Sequence, residues 1–114
     1  MITRYSFGSM EIDGEVYHKD LMILPDRSVH HPWWRASGHV LRVADIKLIL
    51  DARPAALVVG TGASAIMKPD ADFARVVEAR GIRLSVLPTA QAVREFNRMS
   101  AQGESCAACF HLTC

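Results

Sequence analysis

Charge of one sign is missing from this sequence. Thirteen Lys and Arg meet twelve Asp and Glu across 114 residues, for a net charge of +1. A basic footprint for nucleic acid or for an anionic membrane surface is therefore absent. Cysteine is scarce: Cys106, Cys109 and Cys114 are the three, all within the last nine residues. An odd, clustered set is not a disulfide framework. Long apolar runs are also lacking. None exceeds five residues, the length of the run over 55–59, far short of the roughly 18–20 residues of a membrane-spanning helix. No Pro/Gly-rich linker, low-complexity segment or internal repeat divides the chain. Met1 leads directly into strand-like sequence with Arg4, without the apolar stretch of a signal peptide. These shortages point to a reduced, cytoplasmic protein.

What is present is an ordinary globular mixture, 50% hydrophobic and 22% charged. That mixture excludes intrinsic disorder. The length suits one domain that buries about two-thirds of its unfolded surface without metal or disulfides. The first third reads as β. Residues 2–7 alternate weakly. Residues 10–12 and 16–24 flank Asp13-Gly14, a dipeptide suited to a type I′ hairpin turn. Pro25-Asp26-Arg27-Ser28 signals a second turn, with a short strand around Val29.

Helical and strand patterns then alternate. Val43, Ile46, Leu48, Ile49 and Leu50 recur at helical spacing, and Pro54 ends that helix. Residues 55–59 read as a central parallel strand, apolar on both faces. A helix over 70–80 takes Asp70 as cap, Phe73, Val76 and Val77 as inner stripe and Gly81 as stop. Residues 82–86 alternate as a strand. Thr89 caps the next helix, with Val93, Phe96 and Met99 inward and Gly103 as its stop. Residues 106–113 form a last strand. The expectation is one compact α/β (α+β-like) domain over residues 1–114: N-terminal β-hairpins, then α-β-α-β-α-β, in a mixed sheet with packed helices.

Gly60-Thr61-Gly62-Ala63-Ser64-Ala65 superficially fits a dinucleotide-binding fingerprint. Pro69 opposes the helix that fingerprint needs, and Leu87-Pro88 stands where an acidic ribose ligand belongs. No Gly-Lys-Ser/Thr follows, so it is not a P-loop. The loop still ends a parallel strand, the usual place for a ligand in open α/β sheets. Gly60, Thr61 and Gly62 can turn backbone amides outward to an anion, or simply make a tight turn under a neighbouring helix. Pro32-Trp33-Trp34-Arg35-Ala36-Ser37-Gly38-His39 is the most unusual stretch. In extended structure, adjacent tryptophans face opposite ways. Arg35 offers a fork to an oxyanion, and His39 is a candidate acid or base. Against this stands a loop anchored by one Trp, with Arg35 in a surface ion pair. His30-His31 points to opposite faces and should not chelate. Cys106 and Cys109, three apart on a strand, face opposite ways and cannot bridge. No metal site and no cofactor are expected.

Taken in order, Phe7-Gly8, Gly14 with Tyr17, Asp20, Trp34-Arg35 with Gly38-His39, Asp45, Pro54, Gly60-Thr61-Gly62, Gly81-Ile82, Thr89 with Ala92 and Asn97, and His111-Leu112-Thr113-Cys114 resemble a known family. It is a small conserved family named after an uncharacterised archaeal Mth protein. Its relatives include a human adipogenesis-associated protein and a mitochondrial complex I assembly factor. The resemblance implies a compact α/β domain and supplies no reaction. The sequence itself shows no nucleophile–base spacing, paired-acid signature or closed metal motif. Two functions are expected to compete. One is a non-catalytic interaction or assembly module, with respiratory-complex subunits as the partner the resemblance implies. The other is a small-anion or metabolite site, catalytic or not, formed by Gly60, Thr61 and Gly62 with Arg35 and His39. An exposed Trp33 and a free edge in the β-rich first third suggest a monomer or a weak homodimer.

Overall fold

Apolar periodicity divides this chain between two cores, one on each face of a central sheet. The computed structural model describes residues 1–114. In chain order the strands are β1 (Ile2–Ser6), β2 (Ser9–Ile12), β3 (Glu15–Tyr17), β4 (Leu21–Ile23), β5 (Val29–His30) and β6 (Val40–Leu41). A 3-10 turn (Val43–Ile46) runs into helix α1 (Lys47–Ala52). Then come β7 (Ala56–Gly60), β8 (Lys68–Pro69), α2 (Phe73–Ala79), β9 (Arg83–Leu87), α3 (Thr89–Ala101) and β10 (Cys106–Phe110). The radius of gyration is 12.5 Å, close to the roughly 13 Å expected for this length.

The main sheet has the order β5-β4-β10-β7-β9. β10 runs parallel to β7 and antiparallel to β4, so the sheet is mixed. β7 and β10 are buried along their whole length. That is what unbroken apolar runs require when both faces are covered. Alternate residues of β10 serve opposite cores. Cys106, Ala108 and Phe110 face α3 and the hairpin strands, while Ala107 and Cys109 face α1 and α2. The two cysteines point apart, and all three are free thiols.

Several sequence expectations need correction. Residues 16–24 are not one strand. The chain breaks after Tyr17, and β1-β2-β3 form their own three-stranded sheet, separate from the mixed one. The break lets the hairpin sheet pack over the core while β4 joins β10. The helix expected from Asp70 begins at Phe73. Asp70 instead accepts a hydrogen bond from the Asp72 amide, which holds a turn. The last strand ends at Phe110, and residues 111–114 leave the sheet. Trp33 is not exposed. It is 5% accessible, whereas Trp34 is 75% accessible. Burying Trp33 costs no hydrogen bond, since its indole N–H donates to the Asp45 carbonyl at 2.9 Å. The Asp13-Gly14 turn is as expected: both residues have positive φ, 50° and 87°.

Candidate functional site

Residues 111–114 run off the carboxyl end of β10, beside the loop that leaves β7 (the Gly60 end). Three segments close around them. The first is the β3–β4 connection carrying Asp20. The second is the Trp33–Arg35 stretch, tied to that connection because the Trp33 amide donates to the Asp20 carbonyl at 2.7 Å. The third is the Gly60-Thr61-Gly62 loop. Pairing of β6 with β8 fastens the second segment to the chain beyond the third, with the Lys68 amide donating to the His39 carbonyl. This pairing explains how residues far apart in sequence converge.

At the centre lies a buried charged cluster. Arg35 Nη2 is 2.9 Å from Asp20 Oδ2, with side-chain accessibilities of 5% and 18%. His111 Nδ1 is 2.8 Å from the same Oδ2, and the Leu112 amide donates to Oδ1 at 2.8 Å. An ionised carboxylate only accepts, so Nδ1 carries the proton and Nε2 holds the lone pair when the imidazole is neutral. Arg35 Nη2 also lies 3.3 Å from His111 Nδ1. Both atoms give their protons to Asp20, so this is an approach of two donors around one acceptor. Burial by itself raises the Asp20 pKa. The hydrogen bonds from His111 and Leu112, the charge of protonated His111 and the bond from Arg35 outweigh that and hold it below the usual carboxylate range. The guanidinium is fixed from two other sides. Nε and Nη2 reach the Gly38 carbonyl at 3.2 and 2.8 Å, and the group stacks 4.7 Å from the Trp33 ring centroid. Arg35 is thus in a buried ion pair, not the surface pair that the sequence also allows. Arg35 Nη1 and His111 Nε2 are buried with no hydrogen-bond partner.

The residues singled out in the sequence meet here. The His39 ring centroid is 5.8 Å from that of His111. Gly62, at φ 110°, lies under the same ring. A Cβ there would come within 2.9 Å of His111 Cδ2 and 2.3 Å of the Cys114 backbone, so no other residue fits. The loop's amides face inward. Those of Thr61, Gly62 and Ala63 donate to the Leu87 carbonyl, Thr89 Oγ1 and the Thr113 carbonyl at 2.9, 2.8 and 2.6 Å. Gly60 belongs to β7, and its carbonyl accepts from the His111 amide. The amides of Thr61 and Gly62 are therefore engaged by the end of β9 and by Thr89, and that of Ala63 holds the 111–114 segment.

Thr89 is no helix cap. It is the first helical residue, following Pro88, and is fully buried. Its hydroxyl accepts from the Gly62 amide and donates to the His111 carbonyl at 2.7 Å. Asp20, Thr89 and His111 are the site residues missed by motif reasoning, because 91 residues separate Asp20 from His111. What groups the three in the sequence is their membership of the ordered set that carries the family resemblance.

Fold and site together define an α/β domain in which one end of a mixed sheet is closed by a buried Arg–Asp–His cluster. Residues 2–111 match the model of a family described as protein of unknown function (DUF498/DUF598), and the chain belongs to that family. This agrees with the Mth-type resemblance. The chain is similar over its whole length to the solved structure of MT938, at 24% identity, TM-score 0.83 and 98% coverage of that chain. It is also similar to the conserved hypothetical protein PH1505 from Pyrococcus horikoshii OT3, at 22% identity and TM-score 0.85, covering 100% of this chain and 99% of that one. A Bordetella pertussis protein described as a Mth938-like domain matches 98% of this chain and 85% of its own at 18% identity, TM-score 0.65. No helix is long and apolar enough to cross a membrane.

Proposed function

We propose that the chain is a non-catalytic interaction module of the assembly-factor kind, docking through the face around residues 111–114. The observation that carries this reading is the company that segment keeps. Phe7, Trp34 and Ile66 are 66%, 75% and 46% accessible. The first precedes Gly8, whose amide donates to the Leu112 carbonyl at 2.8 Å. The last donates its own amide to the Cys114 carbonyl at 3.0 Å. Trp34 shares a cavity with Leu112 and Thr113. Grouped exposed apolar side chains mark interaction sites, whereas singly scattered ones do not. Tryptophan is also among the residues that most often anchor an interface. Beneath it Arg35 pairs with Asp20, and Asp20 ties the Leu112 amide to the β3–β4 connection. Respiratory-complex subunits are the partners suggested by the family resemblance.

The test is affinity capture at native expression level, comparing the natural chain with a Phe7→Ser, Ile66→Ser double variant of unchanged melting temperature. A reproducible partner, lost with the double variant, is expected. Recovery of no reproducible partner overturns the module, and a partner retained by the variant overturns this face.

A further inference from the structure

A cavity of about 300 Å3 opens beside the buried cluster, with Lys19, Asp20, Trp33, Trp34, Arg35 and Thr113 among its walls. That volume is at the small end of ligand pockets. Its charges do not cancel. Asp20 is matched by Arg35, while Lys19 is exposed and makes no ion pair, so one positive charge is left over. Two nitrogens of the Arg35 fork are engaged by Gly38 and Asp20, and Nη1 is buried without an acceptor. Trp34 adds a largely exposed indole as an apolar wall. A cationic rim, a guanidinium with donor capacity to spare and a flat apolar wall suit one chemistry.

We propose that this cavity binds a small organic carboxylate, with Lys19 and the Arg35 edge facing the carboxylate and Trp34 covering its apolar body. The site is distinct from the loop amides of residues 61–63, which are consumed internally. It also does not depend on partner docking. An Asp or Glu side chain of another protein presents the same carboxylate without a flat body, so the experiment separates the two sources.

The measurement follows the tryptophan indole N–H resonances by NMR during titration with benzoate, with neutral benzamide and with N-acetyl-glutamate amide. The two indoles are distinguishable, because that of Trp33 is locked to Asp45. Benzoate is expected to shift the Trp34 signal saturably, while benzamide produces no saturable shift. Lys19→Ala, at an exposed position outside any ion pair, should weaken benzoate about tenfold by removing a charge-assisted contact. The absence of saturable binding, equal binding of benzamide, or unchanged affinity in Lys19→Ala overturns the proposal. Binding of N-acetyl-glutamate amide without binding of benzoate assigns the cavity to a partner's acidic side chain and overturns it as well. Failure of affinity capture leaves each of these readouts intact, so the two readings fail separately.

Discussion

At Asp20 one carboxylate accepts from Arg35, His111 and the Leu112 amide. Removing it strands a buried guanidinium that has no second acid to turn to. Asp20→Ala should therefore cost on the order of 3–5 kcal/mol, the range for breaking one partner out of a buried pair. Urea denaturation at neutral pH measures it, and a loss near zero would mean that water replaces the carboxylate. The same residue sets an acid sensitivity. Its folded pKa lies below the unfolded value of about 3.9. The folded state thus gains stability above the unfolded value and loses it as pH falls through the lower folded value. Denaturation midpoints collected down the acid range should show that loss in the natural chain and a flatter profile in Asp20→Asn.

Secondary-structure elements were legible wherever a local rule decides them. Asp13-Gly14 is such a place: positive φ at both positions is a property of two residues, and the structure has it. Gly14→Val should lose about 1–3 kcal/mol, since a β-branched side chain resists φ 87°. An unchanged melting temperature would show that the turn relaxes. The β10 strand is legible for the same reason, as an unbroken apolar run. Burial raises the pKa of the Cys106 thiol and pushes that of Cys109 further up, and thiolate is the reactive form. Native labelling with a thiol reagent should therefore modify Cys114 first, with Cys106 and Cys109 following only on unfolding. Fast labelling of Cys109 in the folded protein would contradict its position in the sheet. Elements fixed by distant contacts were misread. Thr89 looks like a cap from its neighbours, yet its hydroxyl is claimed by Gly62 and His111 from across the sheet. Trp33 and Trp34 are indistinguishable in sequence until Asp45 provides an acceptor for one of them.

Across the whole molecule the candidate site follows the same division. Arg35, His39 and Gly62 were nameable from residue type, but their meeting depends on β6 pairing with β8, two dipeptides that carry no strand signature. The partners that complete the cluster are 91 and 76 residues distant along the chain, beyond the reach of any spacing rule. The sheet order β5-β4-β10-β7-β9 puts a late strand in the middle. Without it, β5-β4 and β7-β9 are two ribbons with no shared edge, and Asp20 has neither His111 nor Leu112 to receive. Residues 1–103 alone should therefore be largely unstructured by circular dichroism. A synthetic peptide of residues 104–114 added in trans should restore the fold as β10 forms between β4 and β7, and no gain of structure on mixing would contradict this. Two copies of the chain could trade the same piece, and a split reporter could be cut at this seam.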